Sequence, residues 1–197
     1  MQKAYLTILP CPLKSLFIFK RCLKYNSRVK KGQDMKKLIL VCGPAAIGKS
    51  TFSANYALEH PGEDVAVIAA DEVRKQMYGG YDQFPPGMNM MVIYEEMVER
   101  AKRLCEEKES VSIIFDTTML YDERRLYFRR QLDGCFDRYL LILLKLKDYS
   151  LCLQRNHQRP KEKWVPDHII MDMASHYEDP SPECKRHFDF VGEVYVD

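Results

Sequence analysis

Gly43-Pro-Ala-Ala-Ile-Gly48-Lys49-Ser50-Thr51 is the stretch that decides the fold, because it has the pattern G-x-x-x-x-G-K-[ST] of a phosphate-binding loop. It follows the apolar run Leu38–Cys42 and precedes a segment with a helical pattern. A buried strand, a glycine-bounded turn and a helix start are the context that this motif requires. The stretch therefore predicts a strand–loop–helix unit that binds a nucleoside triphosphate.

The residue types of this loop each suit a role in holding phosphate. Gly43 and Gly48 permit backbone angles and a close approach that a Cβ would obstruct. Successive N–H groups then form an anion nest at the positive end of the helix dipole. Lys49 is expected to reach the β- and γ-phosphates of ATP, and the Ser50 hydroxyl to bind Mg²⁺. A tight turn that happens to carry a lysine is the alternative. The predicted nucleotide-binding set is Gly43, Ala45, Ala46, Ile47, Gly48, Lys49, Ser50 and Thr51.

Length and composition indicate one globular domain. The chain has 197 residues, a length that is enough to bury a core without disulfides. Of these residues 46% are hydrophobic and 29% charged, which is an ordinary globular composition. Its seven cysteines have no C-x-x-C spacing, which favours free thiols in a reducing compartment. We therefore expect a cytoplasmic protein without a membrane partner.

Residues 1–34 form a basic N-terminal extension. They hold eight Lys or Arg and one acid, a charge of +7, so that residues 35–197 carry −5 of the chain's total of +2. Pro10, Pro12 and Lys14 break their apolar clusters, so they suit neither a membrane span nor a signal peptide. They could be a disordered tail, an organellar presequence, or residues encoded upstream of a true start at Met35. We favour the last interpretation because only two residues separate Met35 from the first predicted strand. A basic arm that helps to hold a polyanion is the functional alternative, and the folded domain is expected to span residues 35–197.

From Lys37 onward, apolar runs alternate with helical segments. Continuous apolar strands joined by helices form parallel sheets covered on both faces. We therefore predict an α/β fold of the P-loop NTPase type, with about five parallel strands, helices on both faces and an arginine-bearing lid. The predicted strands are 38–42, 65–70, 110–115, 138–146 and 188–196. The predicted helices are 49–59, 72–78, 88–107, 121–132, 149–157 and 166–177.

The polar residues of interest follow strands. In a sheet of this kind, ligands bind beyond the carboxyl ends of the strands. The phosphate loop, Asp71 and Asp116 each come directly after a predicted strand. We therefore expect all of them to open on one edge of the sheet and to form a single site.

Asp71 and Arg74 form the pattern Asp-x-x-Arg directly after the second strand. An aspartate in this place can take the proton from an acceptor hydroxyl, and an arginine one helical turn on can steady nearby charge. The alternative is that Asp71 caps the following helix, which does not exclude a catalytic role. The pairing with Arg74 favours the catalytic interpretation.

Asp116 begins an Asp-Thr-Thr sequence at the end of the third strand. Beside a phosphate loop, it could bind Mg²⁺ through water or hold an arginine in place. An ordinary turn residue at a strand end is the alternative. The candidate metal-site residues are therefore Ser50 and Asp116.

Arg155 and Arg159 are four residues apart, so on a continuous helix they would share a face. They precede Pro160 and a Lys-rich segment, which suits a mobile lid whose guanidinium groups fold over the transferring phosphoryl. A solvated basic face is the alternative. A solvated basic face is also the preferred interpretation for a second group of arginines, with substrate contact as the minority interpretation. This group consists of Arg124, Arg125, Arg129 and Arg130.

Four motifs, in this order within residues 37–175, resemble the polynucleotide 5′-hydroxyl kinase branch of the P-loop kinases. They are Gly43–Thr51, Ala70–Arg74, Phe115–Thr118 with Glu123-Arg124-Arg125, and Arg155–Arg159 with Val165-Pro166. The same scaffold is similar to zeta-toxin-like and to antibiotic or other small-molecule phosphotransferases, which share the phosphate loop and the aspartate after the second strand.

The resemblance implies a role for each motif. Lys49 and Ser50 would handle the triphosphate and the metal. Asp71 would be the general base on the acceptor hydroxyl, while Arg74 would contact the neighbouring phosphate and be oriented by Asp116.

By the same resemblance, Arg159, with Arg155 as a second candidate, would come from the lid to the donor phosphates. The candidate catalytic residues are thus Lys49, Asp71, Arg74, Asp116, Arg155 and Arg159.

Three function classes follow from these patterns. The favoured one is an ATP-dependent, Mg²⁺-assisted phosphotransferase that moves the γ-phosphoryl to an acceptor hydroxyl. A polynucleotide or oligonucleotide 5′-hydroxyl is slightly preferred as its acceptor over a nucleoside, sugar or antibiotic hydroxyl. The second class is a nucleotide-hydrolysing switch without an organic acceptor. Such switches usually carry an acidic Walker-B motif, and the sequence Asp116-Thr-Thr is a poor match to that motif. A binding-only module is the third.

Overall fold

The computed structural model describes residues 35–81, 83 and 85–196. The predicted extension, residues 1–34, lies outside the described residues. The strands are β1 (Lys36–Cys42), β2 (Val65–Ala69), β3 (Val111–Asp116), β4 (Arg138–Lys145) and β5 (Phe190–Tyr195). The helices are α1 (Lys49–Glu59), α2 (Ala70–Tyr78), α3 (Met90–Glu107), α4 (Asp122–Gln131), α5 (Ser150–His157), α6 (Asp167–Ser175) and α7 (Pro182–Lys185), with a short 3-10 helix at Lys161–Lys163.

The five strands form one parallel sheet in the order β2-β3-β1-β4-β5. β1 lies at its centre, with Leu40 opposite Phe115 of β3 and Leu141 of β4. The predicted α/β fold of the P-loop NTPase type is confirmed. Because β1 and β3 are direct neighbours, the phosphate loop after β1 lies beside Asp116 at the end of β3.

Helices cover both faces of the sheet, and successive residues of β1 point to opposite sides. Leu38 and Leu40 join the core formed with α2, α3 and α4. Ile39 and Val41 join the core formed with α1, α5 and α6. All four side chains are at most 1% exposed. This two-sided burial is why β1 has an unbroken apolar sequence rather than an alternating one.

The longest helix, α3, buries one apolar face against the sheet. Its start is fixed by Asn89, whose side chain accepts a hydrogen bond from the Met91 N–H at 2.9 Å. Because this cap satisfies a free N–H of the first turn, the helix begins at Met90 rather than at the predicted position 88. The buried face has the three- and four-residue spacing of a helix and includes Ile93, Tyr94, Met97, Val98, Ala101 and Cys105.

The C-terminal part contains two short helical segments that lie outside the predicted helices and strands. The 3-10 helix at Lys161–Lys163 follows Pro160. Helix α7 begins after Ser181, whose hydroxyl accepts a hydrogen bond from the Cys184 N–H at 3.1 Å. A proline in the first turn also favours a helix start, but four residues are too few to show a helical period.

Arg125 contradicts the prediction that the arginines of α4 form a solvated face. Its side chain is fully buried, at 0% exposure. Arg129 is also covered, with its guanidinium 3.6 Å from the centre of the Tyr139 ring, and Arg124 lies beside the sulfur of Met91. The prediction failed because α4 has no apolar stripe of its own in its sequence, while the segment that covers Arg125 comes from residues 177–184, far along the chain.

The described helices include none that is both long and apolar enough to cross a bilayer. The cysteines of the described residues are free thiols, as their spacing predicted, and comprise Cys42, Cys105, Cys135, Cys152 and Cys184. All of these but Cys135 are buried.

Candidate active site

The two glycines of the phosphate loop are required for different reasons. Gly43 has φ of +148°, and a Cβ there would lie 3.0 Å from Cγ2 of Ile47 and 3.4 Å from the Leu144 carbonyl oxygen. At Gly48 the space is open, but its φ of +119° strongly favours glycine. A larger residue would therefore displace the loop at the first position and strain its backbone at the second.

The other loop residues differ in what they can offer to a phosphate. Ala46 has a left-handed φ of +59°, and such alternations of backbone conformation form the N–H concavity that binds anions. Ala45 and Ala46 are half-buried, whereas Ser50 and Thr51 are exposed in the first turn of α1. Ile47 is fully buried, so it can present only its backbone.

Lys49 is the first residue of α1 and spans the loop. Its ammonium donates hydrogen bonds to the carbonyl oxygens of Gly43 at 3.0 Å and Pro44 at 2.8 Å. The residue is 8% exposed. Its position at the rim of the loop is the one expected of a lysine that contacts the terminal phosphates.

Ser50 and Asp116, the predicted metal-site residues, are in direct contact. The Ser50 hydroxyl donates a hydrogen bond of 2.7 Å to Oδ2 of Asp116. Both residues offer hard oxygen atoms, and Mg²⁺ is usually held by one or two protein oxygens together with substrate phosphates and water. The pair therefore fits a magnesium ion shared with a bound nucleotide.

Asp71 lies in the first turn of α2, with Ala69 in the N-cap position. The alternative that Asp71 caps this helix is therefore wrong. Its Oδ1 accepts a hydrogen bond of 2.8 Å from Arg74, whose Nε also donates to the Tyr81 carbonyl at 3.0 Å. The Asp71 side chain is 49% exposed, so an acceptor could reach it. The resemblance also implied that Asp116 orients Arg74, which stays a prediction.

The segment between α5 and α6, residues 158–166, is called the lid, and it brings a second arginine to Asp71. A guanidinium nitrogen of Arg159 lies 3.8 Å from Oδ2 of Asp71, and the Trp164 indole N–H donates to the Arg159 carbonyl at 2.8 Å. Helix α5 ends before Arg159, because Pro160 disfavours helical conformation in the residue before it. The condition of one continuous helix, under which Arg155 and Arg159 would share a face, is therefore not met.

A second contact of the lid was not predicted. Lys163 binds Oε1 of Glu72 at 3.1 Å, and the Tyr81 hydroxyl donates to the same oxygen at 2.5 Å. The ammonium groups of Lys163 and Lys75 lie 4.0 Å and 4.5 Å from the centre of the Tyr81 ring. Glu72 follows Asp71 directly, but 91 residues separate it from Lys163, and no spacing rule connects positions so far apart.

Arg155 contacts the backbone of the phosphate loop. It donates a hydrogen bond of 2.9 Å to the carbonyl of Ile47 and a further one to the carbonyl of Val196. These contacts join the loop to the residue after β5. Arg155 is thus placed to support the loop, whereas Arg159 faces the carboxylate of Asp71.

The charged candidates act on one another electrostatically. Burial lowers the pKa of the Lys49 ammonium, Asp116 and Asp71 counteract that lowering, and Arg159 adds to it. Charges influence a pKa in this way when they lie close together. The structure therefore brings Lys49, Asp71, Asp116 and Arg159 to one edge of the sheet.

Comparison with protein families gives one match. The profile of the family described as "AAA domain" matches residues 38–180. The match includes the phosphate loop, both aspartates and the lid.

Comparison with solved structures finds proteins of the same fold at low sequence identity. A gluconokinase from Sinorhizobium meliloti 1021 has a TM-score of 0.53 and 19% identity over 83% of this chain and 84% of its own. Chaetomium thermophilum Kti12, in complex with ADP-AlF3, has a TM-score of 0.59 and 13% identity over 81% and 89% of the two chains. A fungal RNA kinase has a TM-score of 0.55 and 14% identity over 84% and 76%. These similarities show a shared fold.

Proposed function

The chain belongs to the AAA domain family, and from this premise we propose that it is an ATP-dependent phosphotransferase. It moves the γ-phosphoryl of ATP to an acceptor hydroxyl, preferably the 5′-hydroxyl of a polynucleotide or oligonucleotide. The observation that carries the proposal is the half-exposed Asp71 carboxylate, held by Arg74 and Arg159 at the same edge of the sheet as the phosphate loop.

On the donor side, the loop residues 43–51 bind the triphosphate through their N–H groups. Lys49 contacts the terminal phosphates. Ser50 and Asp116 would hold Mg²⁺, which when bound would neutralise negative charge on the phosphates. Arg155 acts indirectly by fixing the Ile47 carbonyl. Arg159 comes from the lid to the donor phosphates.

On the acceptor side, Asp71 takes the proton of the attacking hydroxyl. Arg74, hydrogen-bonded to the same carboxylate, steadies negative charge beside the acceptor. Since phosphoryl transfer asks little covalent chemistry of the protein, most of the rate arises from positioning and charge stabilisation.

The arrangement favours an organic acceptor over water. Asp116 is hydrogen-bonded to Ser50, which suits metal binding rather than the activation of a hydrolytic water. The exposed carboxylate of Asp71 lies on the α2 side of the loop, together with four cationic side chains: Arg74, Lys75, Arg159 and Lys163. This cluster favours an acceptor that carries negative charge next to its hydroxyl.

The fold does not select the acceptor, because the proteins of similar structure include both an RNA kinase and a gluconokinase. The choice of acceptor therefore rests on the charges of the site. An oligonucleotide with a 5′-hydroxyl offers an anionic phosphodiester one nucleotide from the reacting oxygen. Gluconate offers a carboxylate instead. A neutral nucleoside or sugar would give the cationic cluster no anionic partner beyond Asp71 and Glu72.

The test is phosphate transfer from γ-labelled ATP to a panel of acceptors. The panel contains a short 5′-hydroxyl oligonucleotide, a nucleoside, gluconate and a neutral sugar, and the matched control is the same oligonucleotide with a 5′-phosphate already in place. We expect label on the 5′-hydroxyl oligonucleotide and none on its phosphorylated counterpart. Label on gluconate or a nucleoside alone would show that the acceptor is that compound rather than an oligonucleotide. Release of inorganic phosphate with no labelled acceptor would favour the hydrolytic switch.

A further inference from the structure

Arg125 is a buried cation that the proposed reaction does not use. Its guanidinium has 0% exposure and binds the Asp122 carboxylate at 2.9 Å. It also donates hydrogen bonds to the carbonyl oxygens of Met119 at 3.2 Å and Leu120 at 2.9 Å, and to that of Glu178. Because a buried guanidinium loses its hydration, it is retained in an interior only when such partners replace water.

Two of these partners lie in a strained turn after β3. Met119 is fully buried and has a φ of +40°, a conformation that is rare and costly for a bulky residue. The preceding residue, Thr118, accepts a hydrogen bond of 3.0 Å from the N–H of Gly43 at the start of the phosphate loop. The turn that Arg125 holds therefore supplies a direct contact to that loop.

The segment of Tyr177 and Glu178, the latter a partner of Arg125, also reaches the phosphate loop. The N–H of Glu178 donates to the Leu120 carbonyl at 3.0 Å, so the segment is bonded to the same turn. Its neighbour Tyr177 donates a hydroxyl hydrogen bond of 3.0 Å to the carbonyl of Cys42, the residue before Gly43. Burial raises the pKa of the Cys42 thiol to about 11, and Arg125 counteracts that rise, which agrees with a guanidinium lying close behind β1.

We propose that Arg125 is a positioning residue for nucleotide binding. Through the turn at Met119 and through Tyr177, it fixes the backbone of Cys42 and Gly43, at which the phosphate loop leaves β1. The inference rests on the proposed function in taking a nucleoside triphosphate as the ligand of that loop. It adds a residue that touches neither nucleotide nor acceptor.

A residue that only stabilises the fold would have a different effect from one that positions the loop. Arg129 provides the matched control, because it is an arginine one turn further along α4 that also donates to a carbonyl of the C-terminal segment, that of His187 at 2.8 Å. It forms an ion pair with Asp133 and stacks on Tyr139. Neither partner contacts the phosphate loop in these interactions, so the loss of Arg129 should destabilise the protein without weakening nucleotide binding.

The experiment measures the Kd of a fluorescent ATP analogue in the presence of Mg²⁺, for the full chain, well below the melting temperature of each variant. The variants are Arg125→Met, Arg129→Met and Tyr177→Phe, the last of which removes only the hydroxyl that bonds Cys42. We expect Arg125→Met to weaken binding about tenfold or more and Tyr177→Phe about fivefold, as the loss of a net hydrogen bond implies. We expect Arg129→Met to bind within about twofold of the parent protein despite a lower melting temperature.

Equal binding by the parent and Arg125→Met proteins would overturn the proposal, as would equal weakening by Arg129→Met. If Arg125→Met does not fold, Tyr177→Phe serves as the test. Unchanged nucleotide binding by that variant would show that the hydrogen bond to Cys42 does not position the loop, and would overturn the proposal. The readout needs no acceptor, so failure to phosphorylate any acceptor leaves this test intact. A parent protein that binds no nucleotide would overturn the proposed function and this inference together.

Discussion

The guanidinium of Arg159 lies 3.8 Å from Oδ2 of Asp71, while Arg74 binds the other oxygen of the same carboxylate at 2.8 Å. One of these arginines comes from the helix that carries Asp71 and the other from the lid. A lid that moves therefore changes the electrostatic surroundings of the candidate base directly. A donor γ-phosphate, with its greater negative charge, would compete with Asp71 for Arg159.

Replacing Asp71 separates chemistry from nucleotide binding. For Asp71→Asn we expect the rate of phosphoryl transfer to fall by about 10²–10⁴, the usual contribution of a general base. Binding of the ATP analogue should stay within about twofold, because the phosphate loop is untouched. Steady-state transfer of labelled phosphate and equilibrium binding provide the two measurements.

The control for this variant is Asp172→Asn, which alters an exposed aspartate paired with His176 on α6. It should keep full transfer activity. Transfer by Asp71→Asn at the parental rate would show that another group accepts the proton.

The two lid-side arginines are expected to have different kinetic effects. Arg159→Met removes a cation that would face the transferring phosphoryl, so kcat should fall by about 10²-fold or more. Arg155→Met removes two hydrogen bonds to backbone carbonyls, so it should raise the KM for ATP and lower the melting temperature, with a smaller effect on kcat. The measurements are kcat and KM for ATP together with thermal unfolding, and a reversed pattern between the two variants would contradict this division of roles.

The contact between Glu72 and Lys163 should hold the lid in a pH-dependent way. Burial pushes the pKa of Glu72 upward, but hydrogen bonds from Tyr81 and Lys163 outweigh it and hold this pKa below its usual value of 4.5. Because the pKa in the folded protein is lower than in the unfolded chain, the contact is fully present above pH 4.5 and is lost as the pH falls through the lower value. We therefore expect the lid to detach from α2 in acid.

Trp164 allows this transition to be observed, because it is the single tryptophan of the chain and its indole is hydrogen-bonded to the lid backbone. Acid titration of its fluorescence should show a step below pH 4.5. Glu72→Gln and Lys163→Met should each remove the step, because each variant lacks the contact between Glu72 and Lys163. Far-UV circular dichroism over the same range separates lid opening from global unfolding, and a step that persists in Glu72→Gln would exclude Glu72 as its origin.

Phe128 is expected to be a major source of stability for the layer that carries α4. It is fully buried and forms edge-to-face contacts with Phe115 at 5.1 Å and Tyr94 at 5.2 Å between ring centres. Phe128→Ala should lower the free energy of unfolding by about 3–5 kcal/mol, measured by urea denaturation. Phe128→Leu leaves a smaller cavity and should cost clearly less, whereas equal losses would mean that the ring contacts contribute little.

The parts of the fold that could be predicted are those encoded locally. The continuous apolar residues of β1, the glycine pattern of the loop and the helical start at Lys49 lie within one short stretch. The placement of the phosphate loop and Asp116 at one edge of the sheet was also predicted, because parallel strands direct their carboxyl ends to one edge. The direct hydrogen bond between Ser50 and Asp116 depends on the pairing of β3 with β1, which the sequence pattern did not predict.

The features that could not be predicted depend on contacts between distant segments. Nothing near Arg125 in the sequence indicates that Glu178 and Tyr177 cover it, so its charge favoured a solvated position. The partner of Lys163 was equally hidden, because a lysine in a basic run can be paired with Glu72 only when the path of the lid is known. Local patterns therefore indicated which residues lie together at the candidate site, whereas the contacts that support those residues depend on the folded structure.

Arg155 ties the Ile47 carbonyl to the Val196 carbonyl, and this linkage has a practical consequence for handling the protein. An affinity tag fused shortly after Val196 would start close to the phosphate loop, because a single arginine side chain bridges the two carbonyls. Purification handles are therefore better placed at the amino-terminal side or separated from β5 by a long, flexible spacer. Kinetic constants obtained with a short carboxyl-terminal tag should be compared with those of tag-cleaved material.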